Sequence, residues 1–201
     1  MGSKAMKKRL AVLALPVIFS MVAFASAAIQ DNQPAGALDQ NSLARITKEV
    51  RHELVMLPYY GVFDNLAYKV DMDGTVTLLG QVARPTLKSD AENSVKRIEG
   101  VTKVVNNIEV LPTSMNDDRI RRAVYRAIYR NGTLAPYQLR AVPPIHIIVK
   151  NGNVTLEGAV ARQMDKQIAG MQANGVSGVF SVTNNLVVDE PASDKKADKK
   201  K

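Results

Sequence analysis

The chain has 201 residues, 46% of them hydrophobic and 23% charged, with a formal net charge of +8 and neither Cys nor Trp. This is the composition of one or two folded domains, and it excludes a disulfide framework, a thiolate metal site, a thiol nucleophile and a lipidated N-terminal cysteine. Any core has to be assembled from Val, Ile, Leu and Ala.

Lys4, Lys7, Lys8 and Arg9 open the chain, an apolar run follows over residues 10–24, and Ala25-Ser26-Ala27 offers small side chains at its exit. That is the pattern of a signal peptide over residues 1–27, cleaved after Ala27, and it leads to the expectation of an exported, periplasmic protein. The run falls short of the ~20 apolar residues that span a bilayer and Pro16 interrupts it, so no transmembrane segment is expected after processing. These ends also hold most of the charge. The signal carries four cations, and the tail 194–201 has five Lys against two Asp, which leaves residues 28–193 at +1. The high pI is therefore not the footprint of a basic nucleic-acid-binding fold, and no nucleic-acid partner is expected. Residues 28–38 read as a linker and residues 189–201 as a disordered basic tail.

From Asp39 onward Leu43, Ile46, Val50, Leu54 and Leu57 recur at helical spacing, with Asp39 and Ser42 available as caps. A loop with Pro58-Tyr59 leads to an extended run over residues 66–72, closed by Asp73-Gly74, and then to a partner strand over 75–82. Asp-Gly between apolar runs signals a tight hairpin, because the turn needs positive φ. A second helix is predicted over 85–99 on Leu87, Ala91, Val95 and Ile98, ended by Gly100, and a last strand over 103–110. A short linker, residues 112–116, follows.

Then the order repeats. Sliding the sequence by 78 positions lays GTVTLLGQVAR, from Gly74, on GNVTLEGAVAR, from Gly152, and GVTKVVNN, from Gly100, on GVFSVTNN, from Gly178. Pro58-Tyr59 falls on Pro136-Tyr137 in the same ungapped register. A register held this long is the mark of an internal duplication. Strands are predicted over 145–150, 153–160 and 181–188, with Asn151-Gly152 as the hairpin turn and a helix over 163–176. The expected fold class is α+β: two tandem small α-β-β-α-β modules, each a three-stranded mixed sheet packed with two helices. They occupy residues 39–111 and 117–188. Units this small are near the lower limit for independent folding, so contact between them is expected.

GTVTLLGQV with GVTKVVNNIEV, and GNVTLEGAV with GVFSVTNNLVV, resemble the BON domain of bacterial envelope proteins. A signal peptide followed by two such copies is similar to the layout of tandem BON periplasmic proteins of the osmotically inducible protein Y type. The resemblance implies a non-enzymatic module that binds phospholipid or envelope components and serves a stress response, and it supplies no catalytic residues. The matched glycines, Gly74, Gly80, Gly100, Gly152, Gly158 and Gly178, read as backbone positions at turns and close contacts; no crowded glycine run opens a helix as a phosphate loop would.

The two copies differ in charge. Residues 39–110 hold nine basic and ten acidic side chains, whereas residues 117–188 hold nine basic and four acidic ones. Five of the latter cations, Arg119, Arg121, Arg122, Arg126 and Arg130, share one segment with the apolar stripe Ile120, Val124 and Ile128, and Tyr125 and Tyr129 are interleaved. This basic amphipathic helix is the expected lipid-binding site for an anionic phospholipid surface; the bland alternative is a solvated helix face. A chaperone or stress protein that binds unfolded clients or another envelope protein is the competing expectation. His52 and His146 stand in no ligand spacing, so no metal and no cofactor are expected. Tyr59 and Tyr137 are expected to pack their loops against the core, and Asn106-Asn107 and Asn184-Asn185 to serve an irregularity in the last strand.

Overall fold

The computed structural model describes residues 38–189. The signal-peptide segment, its cleavage site and all but the first residue of the basic tail lie outside them.

The first module runs α1 (Gln40–Val55), β1 (Asn65–Val70), β2 (Thr75–Val82), α2 (Pro85–Val95), β3 (Lys103–Asn106) and β4 (Glu109–Val110). The second runs α3 (Met115–Tyr129), a 3-10 turn (Ala135–Leu139), β5 (Ile145–Lys150), β6 (Asn153–Val160), α4 (Gln163–Asn174), β7 (Ser181–Asn184) and β8 (Val187–Val188). In each, the hairpin is antiparallel and the last strand, in two pieces, lies parallel to the middle one. The fold is therefore the expected α+β duplication. β1 and β5 each form one edge of their sheet, and β3–β4 and β7–β8 form the other.

The break in the last strand has a cause. Asn106 turns its side chain so that Nδ2 donates to the Lys88 carbonyl and to Glu92, while Oδ1 accepts from the Ile108 N–H. Asn184 does the same with the Lys166 carbonyl and the Leu186 N–H. One side chain thus satisfies a bulged backbone and ties it to the neighbouring helix. Gly80 and Gly158 answer a different need. A β-carbon on either would stand 2.0 Å from a carbonyl oxygen, of Asn65 or of Pro144, so only glycine lets the hairpin strands close there. All six matched glycines have positive φ. The second helices end at Val95 and Asn174, short of the expected stops, and Gly100 and Gly178 lie in the turns that follow rather than at the helix caps.

The uniform offset of 78 holds for β2, α2 and β3 but not for what precedes them. Gly100 abuts Arg45 and Ile46, and Gly178 abuts Arg119 and Ile120, so the first helices superpose at an offset of 74. Leu66 and Ile145 face the paired glycines Gly80 and Gly158, an offset of 79. Five extra residues in the loop after α3 and one extra in the first hairpin account for the changes. The ungapped alignment of the two halves is corrected accordingly. Four residues are about one helical turn, so the apolar stripe looked the same in either register.

Both modules fall within one compact unit. Residues 60–64 of the first reach into the second: the Val62 carbonyl accepts from the Ile147 N–H at 2.7 Å, and Val62 and Phe63 pack on the second core. Tyr60 stacks on the His146 ring at 5.6 Å between centroids, and Nδ1 of His146 lies 3.3 Å from the Gly61 carbonyl. Asp64, buried here, accepts from the Gly61 and Ala83 N–H groups. Burial pushes the Tyr60 hydroxyl up to about 12 and the Asp64 carboxyl up, and pushes the His146 imidazole down.

Candidate functional site

Ser114 caps α3 by accepting from the Asp117 N–H, and Asp117 and Asp118 in the first turn favour the helix N-terminus. Asp117 is itself buried, and its carboxylate accepts from the Asn151 and Gly152 N–H groups at 3.0 and 2.8 Å. It pins the β5–β6 turn to the helix. Ile120, Val124 and Ile128 are buried as expected.

Not all of the seven residues expected at a lipid surface are on it. Arg121 is 5% exposed; Nη2 donates to the Val149 carbonyl at 2.7 Å and Nη1 to Asp118, while Nε has no partner. Tyr129 is buried and its hydroxyl donates to the Ile145 carbonyl at 3.0 Å. Burial raises its ionisation well above the ordinary phenol value. Tyr125 is half-buried, its ring 6.1 Å from that of Phe63 and its hydroxyl accepting from Gln138. Arg121 and Tyr129 are thus corrected from surface to interior: both serve the edge of β5, whose carbonyls would otherwise be unpaired and shut off from water.

Arg119, Arg122, Arg126 and Arg130 are exposed. At ~100° per residue they occupy a single stripe roughly 80° wide. Among the described residues none of the four has a carboxylate within ion-pair distance. Met115, 89% exposed, begins the same stripe. α4 packs beside α3, with Gln172 against Arg126 and Arg130 in a shallow cavity, and it exposes Met164 and Met171. Phe180, 85% exposed, follows Gly178, which lies against the Arg119 guanidinium. The line of guanidinium groups thus runs beside two segments, α4 and the Gly178 turn, that expose large apolar side chains. The methionines and Phe180 carried no periodic signal in the sequence, and only the juxtaposition of α4 and the Gly178 turn with α3 groups them.

The matched tyrosines part company. Tyr137 accepts from the Ala161 N–H and donates to Asp165, fixing its loop as expected. Tyr59 is 73% exposed at φ 69, with Arg84 over its ring, and does not pack on the core. In the first module Asp64 takes the Ala83 N–H instead. No group of three or more His, Cys, Asp or Glu side chains able to hold a metal occurs among the described residues, and none of their helices is long and apolar enough to cross a membrane.

A family profile described as the BON domain matches residues 42–112 and again 116–190. The chain belongs to the BON domain family. Proteins with such domains are generally non-catalytic binding modules, associated with the periplasm or membranes, and a tandem pair of BON modules makes up most of this chain. Among solved structures, the chain is similar to the C-terminal domain of CdsD, "the structural protein of the Type III secretion system of Chlamydia trachomatis", at 13% identity and a TM-score of 0.29, covering 75% of this chain and 99% of that one. A second CdsD structure gives 13% identity and a TM-score of 0.27, with 74% and 94% covered. No curated protein matches the chain.

Proposed function

We propose that the protein is an exported tandem BON protein of the osmotically inducible protein Y type, which associates peripherally with the anionic phospholipid surface of the cell envelope, chiefly through its second BON module. The observation that carries this reading is the stripe Arg119, Arg122, Arg126 and Arg130, exposed and without carboxylate partners among the described residues. The corresponding positions of α1, at the offset of 74, are Arg45, Lys48, His52 and Met56, and Arg45 is already bound to Glu49 and to the Glu99 carbonyl. Guanidinium groups pair bidentately with phosphate, and basic side chains near an anionic leaflet contribute ~1 kcal/mol each. Met115, Met171 and Phe180 supply the apolar flank that a peripheral helix sets into the headgroup layer.

Vesicle flotation tests it. The R122E/R126E double variant should lose about tenfold or more of its binding to anionic vesicles while keeping its far-UV spectrum, because neither side chain touches the core. K48E on the first module should change little, and added salt should weaken the parent. Parent-like flotation of the double variant would show the arginines to be a solvated face and end this reading.

A further inference from the structure

The outer edges of β1 and β5 are built from equivalent residues and finished differently. Of the backbone groups of β5 that point away from β6, three have partners: the Ile145 carbonyl has the Tyr129 hydroxyl, the Ile147 N–H has the Val62 carbonyl, and the Val149 carbonyl has Arg121. The β1–β2 register, fixed by the Asp71 N–H on the Thr75 carbonyl, points the Leu66 carbonyl, the Tyr68 N–H and the Val70 carbonyl outward in the same way. Among the described residues the Tyr68 N–H and the Val70 carbonyl have no hydrogen-bond partner, while the Tyr60 hydroxyl lies against the Leu66 backbone. In α1 the places of Arg121 and Tyr129 are held by Thr47 and Val55, which are too short to reach the edge.

The open edge also lies in a groove. Two cavities of about 660 and 520 Å³ meet at Arg51 and Tyr68, running from Leu43 and Met72 along α1 to Leu54, Val55 and Leu66, and on to Val142 and Pro144. Their walls carry the cations Lys48, Arg51 and Arg140 and no carboxylate. None of these three cations is in an ion pair among the described residues.

We propose that this groove on the first module is a peptide-binding site that takes an extended segment of alternating apolar and acidic residues as an added strand on β1. The unpaired backbone groups supply main-chain hydrogen bonds, the gap between α1 and β1 takes the apolar side chains, and Lys48, Arg51 and Arg140 take the acidic ones. A lipid would use the cations and the apolar walls but has no peptide groups to offer the edge. This site is separate from the arginine stripe of α3.

Amide hydrogen exchange on the whole protein, with an alternating Glu/Val heptapeptide as probe, tests the assignment. Saturating peptide should slow exchange at the Tyr68 N–H by about tenfold or more and leave Ile147, already paired, unchanged. The T47R/V55Y double variant transplants the caps of the second module and should weaken the peptide by about tenfold or more; T47S/V55I should bind as the parent does, and so should R122E/R126E. A Lys/Val peptide should bind at least about tenfold more weakly. An unchanged Tyr68 amide at saturating Glu/Val peptide would overturn the proposal. So would protection of that amide by protein concentration alone, which would assign the edge to a second copy, or by anionic vesicles, which would assign the groove to lipid.

Discussion

The first helices of the two modules, α1 and α3, occupy equivalent places over equivalent sheets and have been put to different uses. On α3, Arg121 and Tyr129 turn inward to cap two carbonyls at the edge of β5, and the remaining arginines form an exposed line without counter-charges among the described residues. On α1, Thr47 and Val55 leave the edge of β1 open, and the charge is mixed, with Arg45 bound to Glu49. The glycines at the strand crossing and the asparagines at the strand break, by contrast, act alike in both halves. A duplicated fold keeps its backbone-determined positions and diverges where a side chain only has to reach an optional partner.

The shared part breaks most severely. G80A and G158A each force a β-carbon against a carbonyl oxygen at a positive φ, and each should cost about 3 kcal/mol or more in chemical denaturation. A large loss in one module alone would mean that the crossing is not equivalent in the two. The divergent part comes next. R121M keeps the side-chain volume but leaves the Val149 carbonyl unpaired, and should destabilise by about 2–3 kcal/mol; its counterpart T47A should cost no more than about 0.5 kcal/mol. Equal losses would deny Arg121 its role at the edge.

The smallest effect concerns the junction. His146 in the fold ionises below its ordinary 6.5, chiefly through burial. A depressed cationic acid contributes stability that is present above the unfolded pKa and lost as pH falls through the folded one. Thermal stability should therefore decline as pH falls below about 6.5, and H146F should flatten that slope. Asp64 acts oppositely: its raised carboxyl contributes stability at low pH that is lost as pH rises through the folded value. A parent whose Tm is level across the His146 window would remove the imidazole from the account.

Much of this architecture was legible in the residues. Asp73-Gly74 and Asn151-Gly152 mark the hairpins, and strands β2, β5 and β6 fall where alternation and turn residues put them. The register of α1 against α3 was not legible, because a slip of one turn preserves an amphipathic stripe. Nor was the inward course of Arg121, since periodicity treats a charged side chain as exposed. A hint existed: Asp117, Arg121, Val124 and Ile128 follow one another at i, i+4, i+7 and i+11, which sets both charges on the apolar arc and demands partners for them. The groove along β1 had no signature at all, because it is defined by two side chains that its module does not have.

Residues 60–64 give the duplication a direction. They complete the second core with Val62 and Phe63 and occupy the Ile147 N–H, yet the loop that follows α3 returns no such favour to the first module. The donor segment precedes its acceptor along the chain. A chain with its two halves transposed would contain every residue of this one, and would place the acceptor ahead of its donor.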